Sequence, residues 1–260
     1  MASIGAILSY LWVAQPIYEP QQMVYLLAQL AILTILFFFI YVIVKELVAH
    51  SVVETKHVQT VSSLSRSVEA KDYYTRGHSG RVAGIAVILA AHYGGLDRKT
   101  VYSSGLIHDV GKLTTPDYIL IKNGPLTPKE QLEMRKHPLE GAKICRSLGI
   151  SEELIDGVLY HHERWDGKGY PEGLIGENIP LLGRLLCVAD CIDAMASNRS
   201  YRQALSFEHI CSELELGKGT QFDPHIATLA LTHWEEITQF ILEERVKVVT
   251  SGEVSEVYAN

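Results

Sequence analysis

The sequence feature that most constrains the fold is an uncharged, apolar stretch of 22 residues near the N-terminus, 23–44 (MVYLLAQLAILTILFFFIYVIV). At a rise of about 1.5 Å per residue, a helix of this length crosses a hydrocarbon core of roughly 30 Å. A buried helix of a soluble core is the alternative, but the run FFFI at residues 37–40 leaves no polar face. The stretch therefore predicts a transmembrane helix over residues 23–44.

The charges on either side of this stretch predict its orientation. Residues 1–22 carry Glu19 as their only charged side chain. Basic residues follow the stretch at Lys45, Lys56 and Arg66. Because basic residues are retained on the cytoplasmic side of a span, we expect a single-pass protein of the inner membrane with its larger part in the cytoplasm. Residues 1–22 are expected to form a short extracytoplasmic or interfacial segment rather than a cleaved signal peptide.

Residues 45–70 are predicted to form a connecting helix. They are polar, with one apolar stripe at helical spacing: Val58, Val61, Leu64 and Val68. Such a stripe could pair with a second copy of the chain to give a homodimer. No heptad repeat is sustained, so a coiled coil is only one interpretation of the pattern.

The soluble part of the chain is predicted to be an all-α domain over residues 71–245. No strand-like alternation of any length occurs there, whereas helix-sized segments follow one another. The segments are 80–93, 98–108, 128–148, 151–162, 181–198, 206–216 and 224–244. Start signals such as Asp97 and stop signals such as Gly149 support these assignments. The last residues, 246–260, are predicted to be a flexible tail.

Composition limits the ligands that this domain could hold. The net charge of −7 argues against a general nucleic-acid-binding surface. An anionic ligand would therefore need a local positive site, such as a metal or a few arginines. The four cysteines show no CxxC pattern and are expected to be buried thiols of the helical core in a reducing compartment.

Side chains that bind metals recur along the domain, and each lies at a predicted helix or at its end. They are His78, His108, Asp109, His137, His161, His162 and Asp190. Helices packed antiparallel can bring such residues to one point in a bundle core. Any single histidine could instead be a capping or surface residue, but that interpretation weakens as their number grows. The other histidines lack such neighbours and are expected to be structural: His50, His57, His92, His209, His225 and His233.

The number of these residues predicts two metal ions. Five imidazoles and two carboxylates exceed the three or four protein ligands of one catalytic zinc, but they fit two six-coordinate ions that share a carboxylate such as Asp109. A ligand set without thiolates suits iron or manganese at least as well as zinc, and nickel is also compatible. Two such ions about 3.5–4 Å apart support in-line displacement at phosphorus. Lys112, at i+4 from His108, would face the same cavity or else lie on the surface.

Five motifs together resemble one known family. They are KDYYTRGHSGRV, HDVGK, HPLEG, HHERWDGKGYP and ADCIDAMASNRSYR, in this order. They resemble the HD-GYP family, metal-dependent phosphodiesterases that linearise cyclic di-GMP, within the wider HD superfamily. The resemblance covers roughly Val68 to Glu243, and it implies an HD-type helical bundle with a metal centre in its core.

The resemblance implies a role for each matching residue. One metal would be held by His78, His108, Asp109 and Asp190, and the other by Asp109, His137, His161 and His162. Lys112 would lie beside a bridging hydroxide and share the catalytic role with Asp109. The substrate would be contacted by Tyr170, Arg199 and Arg202, with the two arginines near its phosphates.

Two positions depart from the family pattern. Some members have a glutamate four residues before the first histidine that helps to hold a third metal, whereas this chain has Tyr74. Ser200 stands where a proline is usual, which could loosen that loop without removing a ligand. Because Tyr74 stands in place of that glutamate, we expect two metals rather than three. The neighbouring Glu163 and Trp165 are expected to brace the GYP loop rather than to contact ligand.

These features predict a membrane-anchored, metal-dependent phosphodiesterase that hydrolyses cyclic di-GMP to pGpG, with further hydrolysis to GMP left open. One alternative is an HD-type phosphohydrolase that acts on another cyclic dinucleotide or on a nucleotide. The other is a non-catalytic signalling adaptor that uses its metals structurally. The membrane anchor is compatible with each, and signalling input could come through the span or through a protein partner.

Overall fold

The structure, a computed structural model, describes residues 20–71, 77–198 and 203–250. Every regular element in these ranges is helical, and the isolated bridges join single residues only. The predicted all-α class is therefore confirmed for the described ranges. The α-helices are α1 (Pro20–Lys71), α2 (His78–Tyr93), α3 (Arg98–Ile107), α4 (Asp117–Leu120), α5 (Pro128–Met134), α6 (His137–Ser147), α7 (Glu152–Tyr160), α8 (Leu181–Ala196), α9 (Phe207–Gly217), α10 (Pro224–Thr232) and α11 (Trp234–Thr250). Two short 3-10 helices are Val110–Thr114 and Gly176–Asn178.

The chain divides into two compact units, Met1–Lys56 and His57–Asn260. In the first unit, Gln21–Val48 of α1 is long and apolar enough to cross a membrane, with a mean hydropathy of 2.7, and none of it is buried. A signal sequence would pass the same test of length and composition, so the transmembrane helix stays a prediction. Residues 1–19, most of the predicted extracytoplasmic segment, lie outside the described ranges.

The second unit is built on two groups of buried side chains. The larger group joins α2, α8, α9, α10 and α11, with Ile85, Leu185 and Ile237 fully buried. The smaller group joins the C-terminal part of α1 with α6 and α7. Helix α3 links the two, because Val101 belongs to the larger group and Ile107 to the smaller one. The C-terminal end of α3, which leads into the HD pair, thus packs in the smaller group.

The apolar stripe of the connecting helix packs into the core of the second unit. Val61 and Val68 are buried, and Leu64 packs beside them. The side chain of Val58 lies outside the described set. A homodimer through this helix would therefore have to use another of its faces. The domain boundaries proposed from the sequence stay predictions, and α11 continues to Thr250.

Two of the predicted helices are each divided in the structure. The segment 128–148 forms α5 and α6, because Pro138 lacks an N–H and its ring cannot follow a continuous helix there. The segment 224–244 forms α10 and α11, with a break at His233 that neither proline nor glycine signals. The prediction of one continuous helix was therefore wrong in both places. The first break lies next to His137.

Candidate metal centre

Three histidines of the predicted site are oriented by the same contact at the ends of helices. His108 follows α3, His161 follows α7, and His137 lies three residues after the end of α5, as the first residue of α6. In each ring Nδ1 lies 2.7 to 2.9 Å from the carbonyl oxygen three residues earlier. Those carbonyls belong to Gly105, Val158 and Met134. A carbonyl can only accept, so Nδ1 carries the proton and Nε2 keeps the lone pair that a metal needs.

The break between α5 and α6 explains the orientation of His137. In a continuous helix the Met134 carbonyl would accept from the N–H of residue 138, but Pro138 has none. His137 Nδ1 takes that place at 2.8 Å. Gly111 packs against the same turn, where a Cβ would lie 1.8 Å from the His137 carbonyl oxygen. The glycine of HDVGK therefore lets the HD turn come close to His137.

His78, the first residue of α2, is oriented by a buried carboxylate that the sequence reasoning missed. Its Nδ1 lies 2.7 Å from Oδ2 of Asp193, which also accepts a hydrogen bond from Arg81 Nη2 at 3.1 Å. Its Nε2 faces Asp190 Oδ1 at 3.3 Å and Asp109 Oδ2 at 3.8 Å. Asp193 stands three residues after Asp190, so the two carboxylates share a face of α8. That spacing is the signal that could have identified Asp193.

Asp109 lies between two sets of imidazoles. Its Oδ2 faces His108 Nε2 at 3.3 Å and His78 Nε2 at 3.8 Å. Its Oδ1 faces His137 Nε2 at 3.2 Å and His161 Nε2 at 4.0 Å. A carboxylate placed in this way would be available as a ligand to a cation held by either set.

The donor atoms of the predicted ligands form compact groups, in which every atom lies within 4.8 Å of the others. The groups are His137 with His161 and His162, His78 with His108 and Asp190, and His108 with Asp109 and His161. The structure thus brings all seven predicted residues together, although their roles as ligands stay predictions.

Three of these groups, His161, His162 and Asp109, are held in the protonation state that binds a metal. Burial, and then the neighbouring His162, lower the pKa of His161 well below its usual range. Burial and the nearby His137 lower the pKa of His162 to about 3. Burial alone would raise the pKa of Asp109, but the ammonium of Lys112, with Nζ 2.7 Å from Oδ2, holds it well below its usual range. Imidazoles bind a metal when they are neutral, and carboxylates bind one when they are ionised.

His78 differs from the other rings. Burial alone would lower its pKa, but hydrogen bonds to Asp190 and Asp193 raise the pKa to about 9. The hydrogen bond from His78 lowers the pKa of Asp190, although burial alone would raise it. The pair of carboxylates therefore attracts a positive charge at this point, which a metal ion would also supply.

The residues fit a bound cation. His108 Nε2 is buried and has no hydrogen-bond partner within the described ranges. A buried nitrogen in that state costs free energy, which a metal bond would remove. The three groups consist of imidazoles and carboxylates without a thiolate, and such a set suits iron, manganese or zinc.

The GYP loop beside these residues is organised by Glu163, which is buried. Its carboxylate accepts hydrogen bonds from the backbone N–H groups of Glu172, Gly173 and Leu174 at 2.7 to 3.1 Å. Gly169 lets the loop fold back, because a Cβ there would lie 2.3 Å from the Arg164 nitrogen. Glu163 therefore braces the loop.

Tyr170 of the GYP loop lies against the predicted centre. Its ring stacks on His162, with 4.8 Å between the ring centres. Burial raises the pKa of Tyr170, so the phenol stays neutral and can donate a hydrogen bond. The guanidinium carbon of Arg135 lies 5.0 Å from the centre of the same ring. Arg135 is exposed, and the sequence reasoning missed it although it stands two residues before His137.

Comparison with known protein families assigns the chain to one of them. A family model described as the HD domain matches residues 58–226. The chain belongs to the HD domain family. The predicted resemblance to HD-GYP proteins is also confirmed, because several relatives 33 to 37% identical to this HD protein are named cyclic di-GMP phosphodiesterases.

Among the relatives of this HD protein are enzymes named for two cyclic dinucleotides. The 3'3'-cGAMP-specific phosphodiesterase 2 of Vibrio cholerae is 37% identical over 185 residues, which cover 68% of this chain and 35% of that protein. The cyclic di-GMP phosphodiesterase response regulator RpfG of Xanthomonas campestris pv. campestris is 34% identical over 193 residues, covering 72% and 50%. The HD protein thus spans half or less of the length of these relatives.

A solved structure confirms the fold of this HD protein. The crystal structure of the cyclic GMP-AMP specific phosphodiesterase V-cGAP3 of V. cholerae aligns with a TM-score of 0.53 at 18% identity. The alignment covers 70% of this chain and 49% of that one. At this identity the likeness concerns the fold alone.

Four residues discussed from the sequence of the HD protein lie outside the described ranges. They are Tyr74, Arg199, Ser200 and Arg202. The predicted contacts of the two arginines with substrate phosphates therefore stay predictions.

Proposed function

We propose that this HD protein is a metal-dependent phosphodiesterase that hydrolyses cyclic di-GMP to pGpG, with GMP as the product of a second hydrolysis. The observation that carries the proposal is Asp109, which has one oxygen toward each of two imidazole sets and lies 2.7 Å from Lys112 Nζ. Two divalent ions, iron or manganese in the first instance and zinc or nickel as alternatives, would bind there. One would take His78, His108, Asp109 and Asp190, and the other Asp109, His137, His161 and His162.

Such ions, when bound, would supply Lewis acidity and lower the pKa of bound water, and both effects favour phosphodiester hydrolysis at neutral pH. The chain's own residues contribute position and charge. The Nδ1 contacts at the helix ends hold three rings in place, so little reorganisation is needed when substrate binds. The ammonium of Lys112 is placed to stabilise negative charge on a phosphate oxygen as the water adds and the ester bond breaks.

The substrate class is supported by the names of the relatives and by the GYP loop. Tyr170, neutral and braced through Glu163, offers a phenol beside the centre. Arg135 adds a positive charge next to that ring. Arg199 and Arg202 are proposed to contact the phosphates. A chain with a net charge of −7 needs such local positive groups to hold a dianionic ligand.

The location and assembly of the protein are proposed from its N-terminal helix. The hydropathy of Gln21–Val48 supports a single membrane span, and the basic residues after it support a cytoplasmic catalytic domain at the inner membrane. A homodimer through α1 and contacts with signalling proteins are compatible with this arrangement.

The proposal is tested with the full chain, purified without oxygen, loaded with Fe²⁺ or Mn²⁺ and incubated with cyclic di-GMP. We expect pGpG to form, and the double variant His108→Ala with Asp109→Ala to form none. Lys112→Gln should keep its metal content and lose roughly 10²–10³-fold in kcat, the range for one electrostatic group. Intact cyclic di-GMP in the presence of two bound ions would contradict the proposal.

Two other functions are separated by the same preparation. A panel with 3'3'-cGAMP and cyclic di-AMP ranks cyclic dinucleotides by kcat/KM, since a relative is named for cGAMP. For a signalling adaptor, no member of the panel would turn over, and the double variant would support the cellular phenotype as well as the wild type.

A further inference from the structure

A second group of metal-binding side chains lies at the other end of α2 from His78. His92 in the last turn of α2, His233 between α10 and α11, and Glu236 in the first turn of α11 place their donor atoms within 4.8 Å of one another. The 14 residue steps from His78 to His92 correspond to roughly 21 Å of helix. This cluster therefore lies apart from the predicted catalytic centre.

The side chains of the cluster are in close contact, but the ring of His233 stacks on His92 in an unfavourable geometry. His92 Nε2 lies 2.7 Å from Glu236 Oε2. The rings of His92 and His233 lie face to face, with centres 3.4 Å apart and planes within 7°. Aromatic rings prefer offset or edge-to-face geometry to such a sandwich. The hydrogen bond accounts for His92 and Glu236, whereas it gives no reason for His233 to lie against them.

A shared cation would account for all three side chains. Two imidazoles and one carboxylate form a common three-ligand zinc set, with water in the fourth position. Donor atoms of a tetrahedral ion at about 2.0–2.1 Å lie roughly 3.4 Å apart. Here His92 Nε2 and Glu236 Oε2 are 2.7 Å apart, and the three donor atoms all lie within 4.8 Å of one another. Both His92 and Glu236 are partly exposed, at 32% and 54% of the side chain, and can turn until each lone pair points at the ion.

We infer that His92, His233 and Glu236 form a surface site for Zn²⁺ or a similar first-row divalent ion. The site joins the end of α2 to the start of α11, and its ligand set of nitrogen and oxygen atoms selects borderline metals over Mg²⁺ or Ca²⁺. The two histidines, expected from the sequence to be structural, become metal ligands. The inference does not depend on what the catalytic centre hydrolyses.

The test is the number of zinc equivalents bound by the full chain, purified in detergent, stripped of metal and titrated against a chromophoric chelator. His92→Gln and His233→Gln should each bind one equivalent fewer than the wild type. His209→Gln is the matched control, because His209 also pairs with a glutamate on an exposed helix face, 3.4 Å from Glu213 Oε1. It should bind as many equivalents as the wild type.

Thermal unfolding gives a second measurement. When free Zn²⁺ exceeds the Kd of the site 100-fold, the Tm of the wild type should rise about 5–10 °C more than that of His233→Gln. Equal stoichiometry and equal Tm shifts in the wild type and both variants would overturn the inference, leaving a hydrogen-bonded helix contact. Because neither readout involves substrate, this outcome is distinct from a failure to hydrolyse cyclic di-GMP.

Discussion

Replacing Asp193 with asparagine tests whether its carboxylate positions His78 or only supports the fold. The side chain is fully buried, 2.7 Å from His78 Nδ1 and 2.6 Å from Arg81 Nε. Asparagine keeps the size of the side chain but removes the negative charge. It can also present an amide N–H to His78, which favours the ring tautomer with the proton on Nε2. That tautomer cannot bind a metal through Nε2.

The expected loss of stability follows from burial and charge. Breaking a buried ion pair by removing one partner costs about 3–5 kcal/mol. Hydrogen bonds from His78 and Arg81 outweigh burial and lower the pKa of Asp193 to about 2, compared with a usual 3.8. At about 1.4 kcal/mol for each pKa unit, this difference corresponds to about 2.5 kcal/mol. We therefore expect Asp193→Asn to lower the free energy of unfolding by about 2.5–4 kcal/mol.

The matched control is Asp223→Asn, which breaks another buried pair. Asp223 Oδ2 lies 2.6 Å from Arg184 Nη1, and the two side chains are 3% and 12% exposed. Urea unfolding in the presence of a chelator should show that the two variants lose comparable amounts of the free energy of unfolding. Titration with Mn²⁺ should then separate them, because loss of the partner that orients a ligating histidine weakens metal binding about 10–100-fold. Asp223→Asn should keep the wild-type affinity.

Equal metal affinity in Asp193→Asn and the wild type would refute the reasoning. Asp193 would then act only through the stability of α2 against α8. Loss of affinity in both variants would also refute it, because general destabilisation would then be the cause.

Three further predictions concern the loop, the HD turn and a buried thiol. Glu163→Gln should lower the free energy of unfolding by about 1.5–3 kcal/mol. It should also raise KM, measured by steady-state kinetics, while elemental analysis finds the metal content unchanged. An unchanged KM would contradict a bracing role for Glu163. Gly111→Ala should cost about 3 kcal/mol or more and reduce metal content, because the new Cβ meets the His137 carbonyl; wild-type values in both would be inconsistent with that contact. Burial raises the pKa of Cys145 to about 11, so at pH 8 roughly one thiol in a thousand is ionised. Iodoacetamide should therefore label it only after unfolding, and rapid labelling of the native protein would disprove this.

The sequence predicted the helical class and the set of side chains that meet because both depend on local patterns. Residue type and spacing identified His108 and Asp109, and helix packing then had few ways to separate them. The break before His137 could also have been predicted, since Pro138 excludes a continuous helix. The break at His233 could not, because it carries no local signal. In the folded domain, α10 and α11 on either side of the break both pack against α2.

Residues that act through other residues were harder to predict. Asp193 binds no metal in the proposed scheme, so a search for ligand types passes over it, although its spacing from Asp190 on α8 is visible. Arg135 depends on the fold of the GYP loop, which places Tyr170 beneath it. The contact between His92 and His233 joins residues 141 positions apart, and only the tertiary structure brings them together.

The charges around the centre explain why the proposed enzyme would need its metals for binding as well as for hydrolysis. Helices α3, α5 and α7 all end there, and the last carbonyls of a helix carry partial negative charge. Asp109 and Asp190 add two full negative charges; Lys112 supplies one positive charge, and His78, whose pKa is raised to about 9, supplies a second as long as no metal takes its Nε2. Without metal, the full charges at the centre therefore balance, and only partial negative charge of the helix ends remains to face a phosphate. In the proposed enzyme, divalent ions held there would make the local potential positive and so favour a dianionic dinucleotide, with Arg135 adding a positive charge at the rim. Metal occupancy would then set substrate affinity, and the ligands that the fold holds in place would act on KM as well as on kcat.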